Sequence, residues 1–176
     1  MKKIILIGMK ASGKTTVGRL LAKKLFLKHI ELDDEIEKSH AMRKKEKLIF
    51  REIFKKYGEA YFRMLETQIL DTFLVSNKDA DFVLSVGGGT VLNEENQGKL
   101  KKGGKIIFLN PDSGILLQRI LKDGIPAFFS SPGNPKKSLD ELLLKRKSIY
   151  EKVADYVISF EKESPEEIIK KIMDVI

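Results

Sequence analysis

Ile4-Ile5-Leu6-Ile7-Gly8-Met9-Lys10-Ala11-Ser12-Gly13-Lys14-Thr15 passes from an unbroken apolar run into Gly8, four residues, Gly13, Lys14 and Thr15. Four consecutive large aliphatic residues read as a strand buried on both faces. The spacing after it places glycines where an anion-binding loop needs unhindered backbone, just ahead of a helix N-terminus whose free N–H groups point outward. In such a loop phosphate oxygens accept from the backbone of Gly8, Ala11, Ser12, Gly13, Lys14, Thr15 and Thr16. Lys14 reaches the β- and γ-phosphates, and the Thr15 hydroxyl is a hard oxygen donor for Mg²⁺. A glycine turn that merely joined strand to helix would have little reason to put a lysine after Gly13. The stretch therefore reads as a cradle for a nucleoside triphosphate, with ATP and Mg²⁺ as the cofactors implied, and as part of a phosphoryl-transfer enzyme.

Working outward, further strand signals stand at His29 to Leu32, Phe82 to Val86, Lys105 to Leu109 and Tyr156 to Ile158, separated by helical periodicity. Short apolar runs alternating with helices predict a parallel sheet covered on both faces. The first helix begins within Gly13-Lys14-Thr15 and carries Val17, Leu20, Leu21, Lys24 and Leu25 toward the sheet. The last begins at Ser164-Pro165-Glu166-Glu167, with a serine cap, proline in the first turn and carboxylates at the positive end of the helix dipole. Two helical stretches between Glu35 and Thr72, broken near Tyr57-Gly58, read as an outgrowth beside the sheet. Residues Lys122 to Lys137, with Asp-Gly-Ile-Pro and Ser-Ser-Pro-Gly-Asn-Pro, are rich in turn formers and read as a mobile lid.

A chain of 176 residues with 42% hydrophobic residues fills one core and is short for two, so residues 1–176 read as a single domain. The absence of cysteine excludes disulfides, thiolate metal sites and a cysteine nucleophile, and two histidines, His29 and His40, argue against an imidazole metal site. The apolar run before Gly8 is too short for a signal peptide, and no stretch reaches membrane-spanning length. The net charge of +8 is mostly lysine spread along helices; its densest run, Arg43 to Lys47, has no interleaved aromatic for base stacking. The reading is a soluble cytoplasmic monomer acting on a small molecule, with neither nucleic acid nor membrane as partner.

Four features beyond the cradle supply an acceptor side. Glu31-Leu32-Asp33 ends the second strand, where ligands bind in such sheets. Gly58 to Glu66 carries Arg63 on a helix, Ser85-Val86-Gly87-Gly88-Gly89 closes the third strand in three glycines, and Arg146 to Tyr150 closes a helix after the lid. Singly, each has a structural alternative: Asp33 as a helix cap, Arg63 in a surface ion pair with Glu59 or Glu66, the glycines as a strand-ending turn.

In this order the features resemble the shikimate kinase family of small P-loop kinases over nearly the whole chain. That family carries Asp-x-Asp-x-x-Ile-Glu, matched here by Glu31, Asp33, Ile36 and Glu37, and Gly-Glu-x-x-Phe-Arg-x-x-Glu, matched by Gly58 through Glu66. Its Gly-Gly-Gly turn is matched by Gly87, Gly88 and Gly89, and its late Arg-x-x-x-Tyr by Arg146 and Tyr150. The resemblance implies a three-layer α/β sandwich with a parallel sheet, like the nucleoside monophosphate kinases, with substrate-side helices from about Asp34 to Asp71. It implies ATP-dependent phosphorylation of shikimate in aromatic amino acid biosynthesis. Lys14, Asp33 and Arg63 are then the catalytic candidates. Asp33 orients or deprotonates the attacking hydroxyl, Arg63 and Arg146 grip a carboxylate, and Gly87 to Gly89 let backbone approach a polyhydroxylated ring. Thr15, Glu31 and Ser85 stand at the Mg²⁺ site and its water shell, and Arg119 resembles an arginine that packs near the nucleotide.

Departures from the family pattern are equally specific. Its lid begins Arg-Pro-Leu-Leu, whereas this chain has Ile125-Pro126-Ala127-Phe128, so the arginine taken to reach the transferring phosphate is replaced by isoleucine. Lys122, Lys136, Lys137 or Arg119 are the candidates to replace it. Glu31 stands where aspartate is usual, and the segment from Lys38 to Glu52 is longer than the usual link. Two other readings are a kinase of another small hydroxylated acid, such as gluconate, and a sensor that binds nucleotide or metabolite without catalysis. Retention of Lys14, Thr15 and Asp33 together speaks against the sensor, which needs no acceptor-activating carboxylate.

Overall fold

The computed structural model describes residues 2–126 and 129–176. Five strands, β1 (Lys3–Ile7), β2 (Lys28–Glu31), β3 (Phe82–Ser85), β4 (Lys105–Pro111) and β5 (Tyr156–Phe160), form one sheet in the order β2-β3-β1-β4-β5. Every pairing is parallel, with Leu6 in register with Ser85 on one side and Ile107 on the other. The expected strands are all present, with ends shifted by one or two residues. Because β1 is central and flanked by β3 and β4, the loops leaving these three strands emerge side by side at one sheet edge, where chains of this topology build ligand sites.

Side chains alternate across the sheet, and the two faces have separate cores. Ile4 and Leu6 face Val17, Leu21 and Ala22 of α1 (Lys14–Leu25) and Ile168, Ile169 and Ile172 of α7 (Pro165–Met173). Ile5 and Ile7 face the other way, toward α2 (Leu32–Lys44), α3 (Phe50–Ser76), α4 (Glu94–Gly103), α5 (Ser113–Asp123) and α6 (Pro135–Val153). Ile5, Leu6 and Ile7 have no exposed surface, and burying each stabilises the fold by about 1.5–3 kcal/mol. This is the expected three-layer sandwich. Within α1 the buried stripe is Val17, Gly18, Leu21 and Ala22, and Lys24 is exposed. The helix is rotated so that small Gly18 and Ala22 meet the sheet, while Lys24 keeps its ammonium in water. The capping box expected at α7 is formed, with Ser164 and Glu167 exchanging hydrogen bonds.

The helical outgrowth has the break expected near Tyr57-Gly58 and one more that the sequence did not signal. The chain leaves helix after Lys44, with Lys45 left-handed (φ 55°), and re-enters at Phe50. Gly58 (φ 82°, ψ 169°) leaves helical geometry and divides α3 into two helices across a kink, the break expected near Tyr57-Gly58. Glu37 pins the new start by accepting from the Phe50 N–H at 2.8 Å. Buried His40 packs edge-on to Tyr57 and meets the Tyr61 hydroxyl at 3.1 Å, joining α2 to α3. Of the presumed lid, Lys122 and Asp123 belong to α5 and Pro135 to Lys137 to α6; Ala127 and Phe128 lie outside the described residues. Phe129 is buried in the core, and the Ser138 hydroxyl accepts from the Ser131 N–H at 2.8 Å. No helix among the described residues is long and apolar enough to cross a membrane.

Candidate active site

The phosphate loop joins β1 to α1, and its charge lies inward. Lys14 Nζ donates to the carbonyls of Gly8 (3.0 Å) and Met9 (2.9 Å), folding back along the loop. Burial draws the ammonium down to about 8, against the opposing pull of Asp33 and Glu31. Gly13 precedes the helix with φ 96° and no side chain caps the first turn, so its N–H groups remain available. Ser12 is fully buried, and its Oγ has no hydrogen-bond partner among the described residues. Thr15 and Thr16 are exposed at the loop mouth, and Arg119 of α5 donates to the Ala11 carbonyl at 3.4 Å from above. Ala11 itself holds a left-handed backbone at φ 65°. Uncapped amides, an orphaned hydroxyl and two cations in one concave loop fit a polyphosphate.

Beside the loop, β2 delivers Glu31 at its last residue and Asp33 in the first turn of α2. The Glu31 carboxyl is raised by burial, with Thr15 and Lys14 opposing, and its Oε1 is buried without a hydrogen bond, 3.4 Å from His29 Nε2. His29 Nε2 also lies 2.9 Å from Ser85 Oγ, which reaches the Lys14 carbonyl at 3.4 Å. Thr15, Glu31 and Ser85 are thus brought together, with His29 as a member that the sequence did not suggest. An orphaned carboxylate oxygen beside a threonine hydroxyl fits a hard divalent cation with its water shell. Among the described residues no three acidic or imidazole groups cluster to hold a metal by themselves.

Asp33 is pushed up to about 6, chiefly by burial and then by the Glu66 carboxylate, while Lys14 pulls the other way. Glu66 is 1% exposed and accepts from Thr90 Oγ1 (2.6 Å) and from Arg63 Nη1 (2.7 Å). Arg63 also approaches Glu59 at 3.7 Å, so both ion pairs open to it in sequence are made. The pair with Glu66 is no surface bridge; it anchors the guanidinium from a buried carboxylate. The triple glycine is the hub. A carbon added to Gly87 would lie 3.3 Å from Asp33 Oδ1, and one on Gly88 3.3 Å from both the Gly8 carbonyl and the Lys10 N–H nitrogen. One on Gly89 would run into the Arg63 guanidinium. Tyr150, fully buried and stacked on Phe108, donates its hydroxyl to the Gly88 carbonyl at 2.5 Å. Its hydroxyl also bonds Arg146, and burial pushes it up to about 12. Arg63 and Arg146 therefore approach the same turn from α3 and α6.

A nucleotide-shaped phosphate loop facing a carboxylate and two arginines, on a parallel β2-β3-β1-β4-β5 sheet, defines a small P-loop kinase. A family model described as shikimate kinase matches residues 10–176. The shikimate kinase of Thermodesulfovibrio yellowstonii is 39% identical over 173 residues, covering 98% of this chain and 94% of that relative. The one from Persephonella marina is 37% identical, covering 98% of each. A solved shikimate kinase from Acinetobacter baumannii in complex with shikimate matches with a TM-score of 0.87 at 31% identity, covering 99% of this chain and 92% of that one. The chain belongs to the shikimate kinase family.

Proposed function

We propose that this kinase transfers the γ-phosphoryl group of ATP to a hydroxyl of shikimate, giving shikimate 3-phosphate. The observation that carries the reading is the glycine turn. Gly88 touches the phosphate loop, Gly87 touches Asp33 and Gly89 touches Arg63, so donor, base and acid-gripping cation share one point.

In this reading the triphosphate lies along Gly8 to Thr16, with Lys14 turning from the loop carbonyls to the β- and γ-phosphates and Arg119 flanking the nucleotide. Arg63, held by Glu66, and Arg146, held by Tyr150, bind the acceptor's carboxylate, while Gly87 to Gly89 lie against its ring. Asp33 accepts a hydrogen bond from the attacking hydroxyl. With its carboxyl near 6 it is mainly ionised at neutral pH and still basic enough to take the proton. Thr15, Glu31 and Ser85 would hold Mg²⁺, which when bound would supply positive charge against the phosphates. The segment between α5 and α6 closes over the site and excludes water as a competing acceptor. Transfer is direct and in line, since no side chain is placed as a nucleophile.

A coupled ADP-release assay with shikimate, gluconate and nucleoside monophosphates tests the assignment. Shikimate alone should stimulate ADP release. Equal stimulation by a nucleoside monophosphate, or none by shikimate at millimolar concentration, would refute it.

A further inference from the structure

Edge strand β2 reads Lys28-His29-Ile30-Glu31, and its period of two sends His29 and Glu31 to the α1 face while Ile30 joins the opposite core. β3 lies beside it in register, with His29 opposite Val83 and Glu31 opposite Ser85. An apolar residue at 29 would suit the core that α1 builds there from Val17, Leu21 and Val83. An imidazole stands in its place, with a side chain 10% exposed. Gly18, one turn beyond Lys14 on α1, makes the room: a carbon added to it would lie 2.4 Å from His29 Nε2 and 2.9 Å from Ser85 Oγ.

The ring meets two groups of the cation site. Its Nε2 lies 2.9 Å from Ser85 Oγ and 3.4 Å from Glu31 Oε1. Ser85 has one hydroxyl proton, which points to the Lys14 carbonyl 3.4 Å away. Toward the ring its Oγ therefore accepts, which puts the ring proton on Nε2. The same N–H passes Glu31 Oε1 too far off to bond it, and that buried oxygen has no hydrogen bond among the described residues. A hydroxyl turns freely about its C–O bond. Without a donor on its lone-pair side, Ser85 would be free to swing its proton across the paired strands onto Glu31 and occupy the oxygen left open.

We infer that His29 is a positioning residue of the cation site: by donating from Nε2 to Ser85 it fixes the hydroxyl toward Lys14 and keeps Glu31 Oε1 open for the divalent cation and its water shell. The inference rests on the kinase reading above. His29 does not itself bind the cation, since a ring nitrogen that carries a proton has no lone pair to give. It acts through Ser85 and Glu31, as hydrogen-bonded outer partners do at metal sites generally. The loop amides from Gly8 to Thr16 grip phosphate without it, so nucleotide binding in the absence of metal should be indifferent to His29.

The test is calorimetric binding of a methylene-bridged, non-hydrolysable ATP analogue in Mg²⁺ and in EDTA, without acceptor. Mg²⁺ should tighten binding to wild type. His29→Leu should lose about tenfold of that tightening, while its Kd in EDTA stays within about twofold of wild type. His29→Gln, whose side-chain amide presents an N–H near the place of Nε2, should recover most of the loss. Adding His29→Leu to Ser85→Ala should cost less than about twofold beyond Ser85→Ala alone, because both act through one hydroxyl. Tightening by Mg²⁺ that is unchanged in His29→Leu overturns the inference, and so does an equal loss in EDTA, which would mark a merely structural ring. With Mn²⁺ in place of Mg²⁺, an imidazole nitrogen coupling in the electron spin-echo spectrum of wild type that is lost in His29→Leu would make His29 a ligand and overturn it as well. If the leucine variant does not fold by its melting curve, His29→Val is judged by the same limits. Because no acceptor is present, an enzyme that gives the expected binding but is inert to shikimate loses only the acceptor assignment. A wild type indifferent to Mg²⁺ overturns the cation site and the inference with it, and failure to bind the analogue at all overturns the kinase reading itself.

Discussion

Asp33→Asn should make the protein more stable and nearly inactive, and the stability gain should depend on pH. The folded structure raises this carboxyl from 3.8 to about 6, first by burial and then by the neighbouring Glu66 carboxylate. The charged form is therefore disfavoured in the folded state, by about 3 kcal/mol at neutral pH at about 1.4 kcal/mol per tenfold change. Residual solvent contact reduces this to about 2–3 kcal/mol. The sign follows from proton counts: between about 4 and 6 the native state binds more protons than the unfolded state, so wild-type stability falls as pH rises through that window. Above 6 the penalty is fully present, and below about 4 both states are protonated and it vanishes. Asparagine removes the charge and keeps the shape. Urea unfolding should therefore show Asp33→Asn more stable than wild type by about 2–3 kcal/mol at pH 7.5, roughly 4–12 °C in Tm, with the gap closing toward pH 4. Shikimate-dependent kcat should drop by about a hundredfold or more. A variant no more stable than wild type at pH 7.5, or a gain unchanged between pH 4 and 7.5, would refute the view of Asp33 as a strained, functional carboxylate.

Other perturbations address the rest of the site. Gly89→Ala places a carbon against the Arg63 guanidinium, a flexible group that can swing aside, so the fold should survive while the KM for shikimate rises about tenfold; an unchanged KM would free Arg63 from acceptor binding. Lys14, at about 8 in the nucleotide-free enzyme, should impose an alkaline limb near that pH on kcat/KM for ATP, because the loop loses its charge as pH rises through it. The limb in kcat should lie higher, since bound phosphates favour the ammonium, and coincident limbs would contradict that role. Ala11→Gly removes the left-handed alanine at φ 65° and should raise unfolding free energy by about 1 kcal/mol; a loss of stability in a denaturant titration would show that the loop tolerates alanine without strain.

The parts of this protein that were legible in sequence are those written locally. Ile4 to Thr15 declares strand, phosphate loop and helix within a dozen residues, because strand burial, loop glycines and the uncapped helix start all act over neighbouring positions. Ser164 to Glu167 declares the last helix in the same way. The pairing of Arg63 was left open, since Glu59 and Glu66 both lie one helical turn away. Only the packing of α3 on the glycine turn buries Glu66 and brings Thr90 to it, making one of two equivalent neighbours the anchor.

The break at Gly58 was legible, whereas the one between α2 and α3 was missed because Lys45 to Ile49 carries no glycine or proline. What ends the helix there is a left-handed Lys45 and a hydrogen bond from Phe50 to Glu37, thirteen positions earlier. The grouping of His29 with Ser85, 56 positions apart, follows from β2 and β3 lying in register. Sequence by itself determined the chemistry at hand: a phosphate cradle, one carboxylate, two arginines and a glycine turn. Tertiary structure decided which of these meet and how strongly each proton is held, because burial and charge proximity depend on segments far apart in the chain, which no local pattern records.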